Sequence, residues 1–159
     1  MFWVPDESDC WIAATFIEEN AKKGISKFSL PSGRILEAKT DSCLRILNEQ
    51  VLNDSPDDLI SLSEVNEATI LNAMRIRFLD QNIYTACGSV LMVINPFATI
   101  ENLYGDAQIK FYSNPFADGL TPHIYLIASR AYSLMCSNGK NQSILIRYLS
   151  LTIAFVPYS

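Results

Sequence analysis

The chain has one histidine, His123, and its four cysteines (Cys10, Cys43, Cys87 and Cys136) are scattered without a single CxxC pair. These residues supply no ligand set for zinc or another transition metal, so no metal site is expected. Cysteines spread in this way read as free thiols of the reducing cytosol, each acting as a small hydrophobe. Positive charge is also scarce. Against 17 aspartates and glutamates stand 12 lysines and arginines, giving a net charge of −5. That balance argues against a general nucleic-acid binder and an anionic-membrane binder, both of which need a cationic face. No apolar run approaches the roughly 18 residues needed to span a bilayer, so no membrane segment is expected. The opening MFWVPDESDC carries early acids where a secretory leader needs a basic stretch and then an apolar one.

What is present describes a folded chain. Apolar residues make up 49% and charged residues 18% of 159 positions, enough for one ordinary domain or one small and one incomplete. The first fifty residues read as short strands: Trp3-Val4, Trp11 to Ile17, Ile25 to Leu30 and Arg34 to Ala38. They are separated by EENAKKG and PSG, which carry turn chemistry. A spacing of about ten residues suits a small antiparallel barrel. Trp3 and Trp11 are then either the platform of a peptide-binding module or part of the barrel's core, and the core is preferred.

LNEQVLNDSPDDL is a polar connector and the expected domain boundary. Beyond it the period changes. Ala68, Leu71, Met74 and Phe78 recur at helical spacing, widened by Ile70 and Ala73. Asn66 is the expected N-cap, with Ser61 and Glu64 forming a competing capping box. Ile83 to Ala86 and Ser89 to Ile94 form a hairpin through Cys87-Gly88, its second strand buried. A further helix is expected to open with Thr121 as N-cap and Pro122 at the first helical position. It continues through Ile124, Ile127, Ala128, Ala131 and Met135 and stops at Asn138-Gly139. SILI (Ser143 to Ile146) reads as another buried strand, and helices alternating with buried strands indicate a three-layer α/β core. His123 finds no partners for metal or acid–base work and reads as structural. Glu64, Glu67 and Asp80 read as a solvated face. No catalytic residue is expected.

The ordered series DDLISLSEVNEATILNAMRIRFLDQNIYTACGSVLMVINPF, LYGDAQIKFY, TPHIYLIASRAYSLM and NQSILI, Asp57 to Ile146, resembles the beginning of a myosin motor domain. FWVPDE followed by a tryptophan is similar to the small β-barrel that precedes the motor core in many myosins. The resemblance implies a small all-β, Src-homology-type barrel over 1–52. It also implies an incomplete α/β core of the P-loop NTPase, myosin-motor type over 57–146, with 147–159 outside any assignable domain. In that family the loop after the buried strand surrounds the adenine of ATP, with the pattern NP, several residues, then a tyrosine. Here the matching residues are Asn95, Pro96 and Tyr104, spaced one residue wider than the commonest form. Ala98 and Thr99 stand where many members carry a basic residue. An amide, a proline that fixes the loop exit, and a ring with a hydroxyl suit a purine edge.

The resemblance further implies ATP with Mg²⁺, actin filaments and light chains as ligand and partners of a complete member, and a cytoplasmic, cytoskeletal location. After the strand, members continue into a phosphate loop of the form GESGAGKT. This chain reads RYLSLTIAFVPYS and contains no GxxxxGK[ST]. The expectation is therefore a fragment cut just before the phosphate loop, inactive by itself, from a truncated gene model, a retained intron or a degenerate gene copy. The alternative is a non-catalytic interaction module built on the N-terminal barrel.

Overall fold

The computed structural model describes residues 1–149 and 152–158, with side chains through Arg147. The chain groups into two compact units, one of residues 1–54 with 63–73 and one of residues 55–62 with 74–159.

In the first unit five strands form one antiparallel sheet: β1 (Phe2–Asp6), β2 (Cys10–Asn20), β3 (Ile25–Ser29), β4 (Ile35–Lys39) and the short β5 (Leu44–Arg45). Their spatial order is β4-β3-β2-β1-β5. Both expected turns form where a glycine supplies positive φ, Gly24 at +62° and Gly33 at +82°. The β2–β3 ladder shifts register between Phe16 and Glu18, a bulge that bends the long strand. Successive residues of a strand point to opposite faces, so Trp3 and Val4, both buried, serve two cores. Trp3 packs with Ile46, Val51 and Ala68, while Val4 packs with Ala14, Phe28 and Leu30. Trp3 is therefore core and is not a peptide platform, and its indole N–H is buried without a hydrogen-bond partner.

Helix α1 (Glu67–Leu79) begins at the expected cap. The Asn66 side chain accepts from the Thr69 N–H and the Thr69 hydroxyl accepts from the Asn66 N–H, each at 3.0 Å, a reciprocal box. The competing start at Ser61 does not form, because the Ser61 hydroxyl donates to the Asp58 carbonyl at the end of a 3₁₀ turn, Leu59–Ser61. The buried face also differs from the expected stripe. Ala68, Thr69, Ala73, Met74 and Arg77 are buried, whereas Phe78 is exposed. The helix turns a hydrogen-bonded arginine inward, and periodicity counted only apolar residues.

The second unit carries the hairpin of β6 (Tyr84–Cys87) and β7 (Val90–Ile94), joined through Gly88-Ser89, one residue later than expected. Gly88 has φ +60°, and an added Cβ would stand 2.8 Å from Ile60 Cδ1. β7 is half-buried: Leu91 and Val93 point into a core with Ile83 and Tyr84, and the residues between them are partly open. A short helix α2 (Asp106–Phe111) and a long one, α3 (Ile124–Asn138), follow. Helix α3 buries Leu126, while Ala128 and Met135 are exposed, so the expected stripe is rotated here too. It stops as expected at Gly139, in the left-handed region, whose N–H returns to the Met135 carbonyl at 3.0 Å.

β8 (Ser143–Leu149) contains the SILI run, but Ile144, Leu145 and Ile146 are exposed rather than buried. It lies at the edge of the sheet β6-β7-β9-β8, paired to β9 (Thr152–Tyr158), and an edge strand lacks the neighbour that would cover it. Every strand pair among the described residues is antiparallel, with one isolated parallel bridge, Asp58 to Ala86. These residues are mostly β with few helices and do not by themselves show the layering of an α/β core.

Candidate functional site

The chain between β7 and α3 holds every residue singled out as a site. The hairpin closes on its last rung with the Ile94 N–H donating to the Ile83 carbonyl at 3.0 Å. Asn95 then turns the chain by accepting the Phe97 N–H on its side-chain oxygen at 2.9 Å, which leaves its amide group to donate outward. Pro96 lines a cavity of about 290 Å³ with Ile83, Ala98, Thr99 and Ile100. Phe97 has φ +49° and is 86% exposed. A bulky residue held in the left-handed region with its ring in solvent marks a strained loop rather than a packing solution.

The loop returns through Asn102, also left-handed at φ +58°, whose carbonyl accepts from the Gln108 side chain at 2.9 Å. Tyr104 follows. Its hydroxyl meets that of Tyr84 at 2.7 Å, and Tyr84 pairs across the hairpin with Val93, two residues before Asn95. The loop is thereby folded back on the strand pair that launches it. No hydrogen bond joins Asn95 to Tyr104 among the described residues. Burial, with the Tyr104 hydroxyl next, drives the Tyr84 phenol far above its ordinary range, so Tyr84 is a fixed neutral group.

The N-terminus of α3 differs from expectation. Thr121 and Pro122 lie outside the helix, and the N-cap is His123, whose Nδ1 accepts from the Tyr125 N–H at 3.0 Å. Nδ1 must then be unprotonated, so Nε2 carries the hydrogen and donates to the Leu103 carbonyl at 3.0 Å. Thr121 instead exchanges a hydroxyl hydrogen bond with Tyr112 at 2.9 Å. Four tyrosines surround the imidazole: Tyr112 stacks on it at 4.7 Å and 10°, and Tyr84, Tyr125 and Tyr104 approach edgewise or tilted at 4.8, 4.8 and 5.8 Å. Burial lowers the His123 pKa against the opposing pull of the Leu103 hydrogen bond. Both ring nitrogens are occupied, so neither is available to move a substrate proton.

Arg77 supports the same hairpin from beneath. Its buried guanidinium donates to Thr85 Oγ1 at 2.9 Å, the Tyr84 carbonyl at 2.9 Å and the Ser55 carbonyl at 3.1 Å, and it pairs with Asp57 at 2.9 Å. A planar fork with several fixed donors suits this role, and a lysine would not reproduce it. Among the described residues no group of three or more His, Cys, Asp or Glu side chains is placed to hold a metal. None of their helices is long and apolar enough to cross a membrane.

Sequence reasoning missed Tyr84, Arg77 and the capping role of His123. The one usable signal for the last was a lone histidine between a proline and the first apolar-periodic residue. The loop offers an amide at Asn95, a proline at Pro96 and a half-exposed ring at Tyr104. It contains no nucleophile and base pair.

Comparison with known proteins shows the family. The model of the myosin head (motor domain) matches residues 56–150. Myosin-2 of Lachancea kluyveri is 32% identical over 153 residues, covering 91% of this chain and 10% of that protein. Unconventional myosin-Va of Rattus norvegicus is 34% identical over 151 residues, covering 91% of this chain and 8% of the relative. This chain belongs to the myosin head (motor domain) family and is a stretch of its N-terminal part. It spans about a tenth of the length of the curated relatives it matches.

Proposed function

We propose that the loop from Asn95 to Tyr104 is the adenine-contacting loop of an ATP-driven, actin-based motor. The observation that carries this reading is the return of Tyr104 onto Tyr84, beside the strand that ends at Ile94 and leads into Asn95, in a chain of the myosin head family. Asn95 offers its amide to the base edge, Pro96 fixes the exit of the chain from the strand, and Tyr104 supplies the ring. In the complete protein, ATP is held with Mg²⁺, and actin filaments and light chains are the partners in a cytoplasmic, cytoskeletal assembly. On this reading residues 1–52 form a small Src-homology-type barrel, 57–146 the start of a P-loop-type motor core, and 147–159 belong to no assignable domain.

Phosphate binding and phosphoryl transfer depend on a glycine-rich backbone cradle, a lysine and a Mg²⁺-holding hydroxyl. The 159 residues contain no such pattern, so on this reading they supply base contacts alone. Millimolar affinity, about −4 kcal/mol, is the scale for those contacts. The test is titration of the labelled 159-residue polypeptide with ATP, GTP and inorganic triphosphate, followed by NMR. Shifts confined to residues 94–105, shown by ATP and not by triphosphate, are expected. Equal responses to all three, or shifts elsewhere, would overturn the reading. Phosphate release at millimolar Mg-ATP, with or without actin filaments, is expected to stay at background, and turnover would reveal an unrecognised phosphate site.

A further inference from the structure

We propose that His123 is the positioning residue of this loop: in its neutral, Nε2-protonated form it clamps the Leu103 carbonyl and thereby sets where Tyr104 presents its ring. The inference rests on the adenine-contacting reading of the loop. It begins from a geometric contrast. A helix cap needs one acceptor, which Nδ1 supplies to Tyr125, yet the far nitrogen of the same ring reaches across 20 residues of chain to the carbonyl just before Tyr104. Serine, aspartate or asparagine would cap as well or better. None of them has a donor on the opposite side at imidazole reach. The ring is also held flat against Tyr112 and touched by Tyr104 itself, so its position is defined independently of the two hydrogen bonds.

The cap works in one protonation state, whereas the Nε2–H of the clamp is present in both. A proton on Nδ1 would abolish the cap and place a cation among four tyrosine rings and the apolar side chains behind them. Neutral phenols Tyr84, Tyr104, Tyr112 and Tyr125 face the imidazole directly. Asp57, Asp80, Glu101 and Arg77 share the larger cavity that His123 lines, and Asp58 and Arg130 the smaller one on its other side. Asp57 is paired with Arg77, and Asp58 accepts from the Ile60 and Gly88 N–H groups, so both acids are engaged elsewhere. Burial therefore holds the pKa of the histidine below its ordinary range, and the imidazolium loses the Tyr125 cap while its Nε2–H still donates to Leu103.

Two substitutions separate the clamp from the cap. His123→Asn keeps an acceptor for Tyr125 and is too short for Leu103. His123→Gln places its amide near the Nε2 position, does not titrate, and caps poorly. Adenosine is the probe, since it has no phosphate to titrate in the same range. His123→Asn, its helix intact by circular dichroism, is expected to bind adenosine about tenfold more weakly, the scale of one lost positioning hydrogen bond. His123→Gln is expected to bind within about twofold of the parent. Parent affinity should hold as pH falls below about 6.5, like that of His123→Gln, because the Nε2–H donates in both protonation states. Parent affinity in His123→Asn, or an Nδ1–H tautomer in the ¹⁵N spectrum of the parent, overturns the proposal. If the parent binds no adenosine, the adenine-loop reading falls and the clamp is judged by NMR alone. Leu103 and Tyr104 resonances that move in His123→Asn and stay near parent positions in His123→Gln uphold it, and resonances that ignore both substitutions overturn it.

Discussion

The N-terminal sheet and the loop between β7 and α3 are both short segments joined by turns, yet they are held by different forces. In the sheet, Trp3, Val4, Ala14 and Phe28 are buried apolar groups on a ladder broken by one bulge, Leu30 is buried just beyond it, and the Trp3 indole N–H is buried without a partner. In the loop the backbone is irregular, Phe97 and Asn102 sit in the left-handed region, and beside the packing of Ile100 and Leu103 on the hairpin core stand single polar pegs: Asn95 on Phe97, Tyr84 on Tyr104, His123 on Leu103. Apolar burial is non-directional and tolerant of exchange, whereas a peg works at one distance and needs its own donor and acceptor. The sheet should therefore respond to volume and the loop to hydrogen-bond chemistry.

The largest break in that comparison is Trp3→Ala. It removes a wholly buried indole and should cost about 3–5 kcal/mol in urea unfolding. Trp3→Phe should cost much less, because the deleted N–H had no partner to lose. Equal losses would show that the indole nitrogen has a partner after all. On the polar side, Arg77→Met should cost about 3 kcal/mol by the same measurement, since Thr85, Tyr84 and Ser55 lose a buried donor together. Asp57→Asn, touching the same guanidinium from a side chain 56% exposed, should cost less than about 1 kcal/mol. If the two substitutions matched, the ion pair rather than the buried fork would be what matters.

Smaller effects sharpen the same contrast. Asn66→Ala removes the cap of α1 and should cost about 1 kcal/mol, while Ser61→Ala, whose hydroxyl is exposed, should fall within about 0.5 kcal/mol of the parent. The pH response should come last in size. His123 has its pKa lowered by folding, so the unfolded chain takes up the proton first. The stability it contributes is whole above the ordinary histidine range near 6.5. It is lost as pH falls from there toward the lowered folded value, below which the loss levels off. Urea midpoints across that window should decline in the parent and not in His123→Gln.

What was legible in the sequence follows the same division. The four N-terminal strands and their glycine turns were readable because alternation and turn residues are local signals. Asn66 was readable because its partner is three residues away, and Gly139 because a helix stop needs only its own conformation. Family membership was readable from the ordered series after Pro56. Arg77 was not, because its partners come from Ser55, Asp57, Tyr84 and Thr85, which no periodicity connects. His123 was hidden by Thr121-Pro122, a stronger helix-start signature that tertiary contacts override, drawing the threonine to Tyr112. SILI was read as buried because an apolar run reports what a strand wants and cannot report whether a neighbour is there.

The open side of β8 has a consequence for handling the chain. The β6 edge is partly occupied by the Asp58 bridge, but β8 meets only β9 among the described residues, and Ile144, Leu145 and Ile146 stand 40%, 52% and 61% exposed along it. A row of unpaired amides backed by three branched aliphatic side chains is a template for another copy's strand. Its next charge is Arg147, which alone gives weak protection against stacking. The polypeptide should thus be soluble when dilute and grow ordered assemblies when concentrated, a tendency that a single lysine in place of Leu145 would reverse.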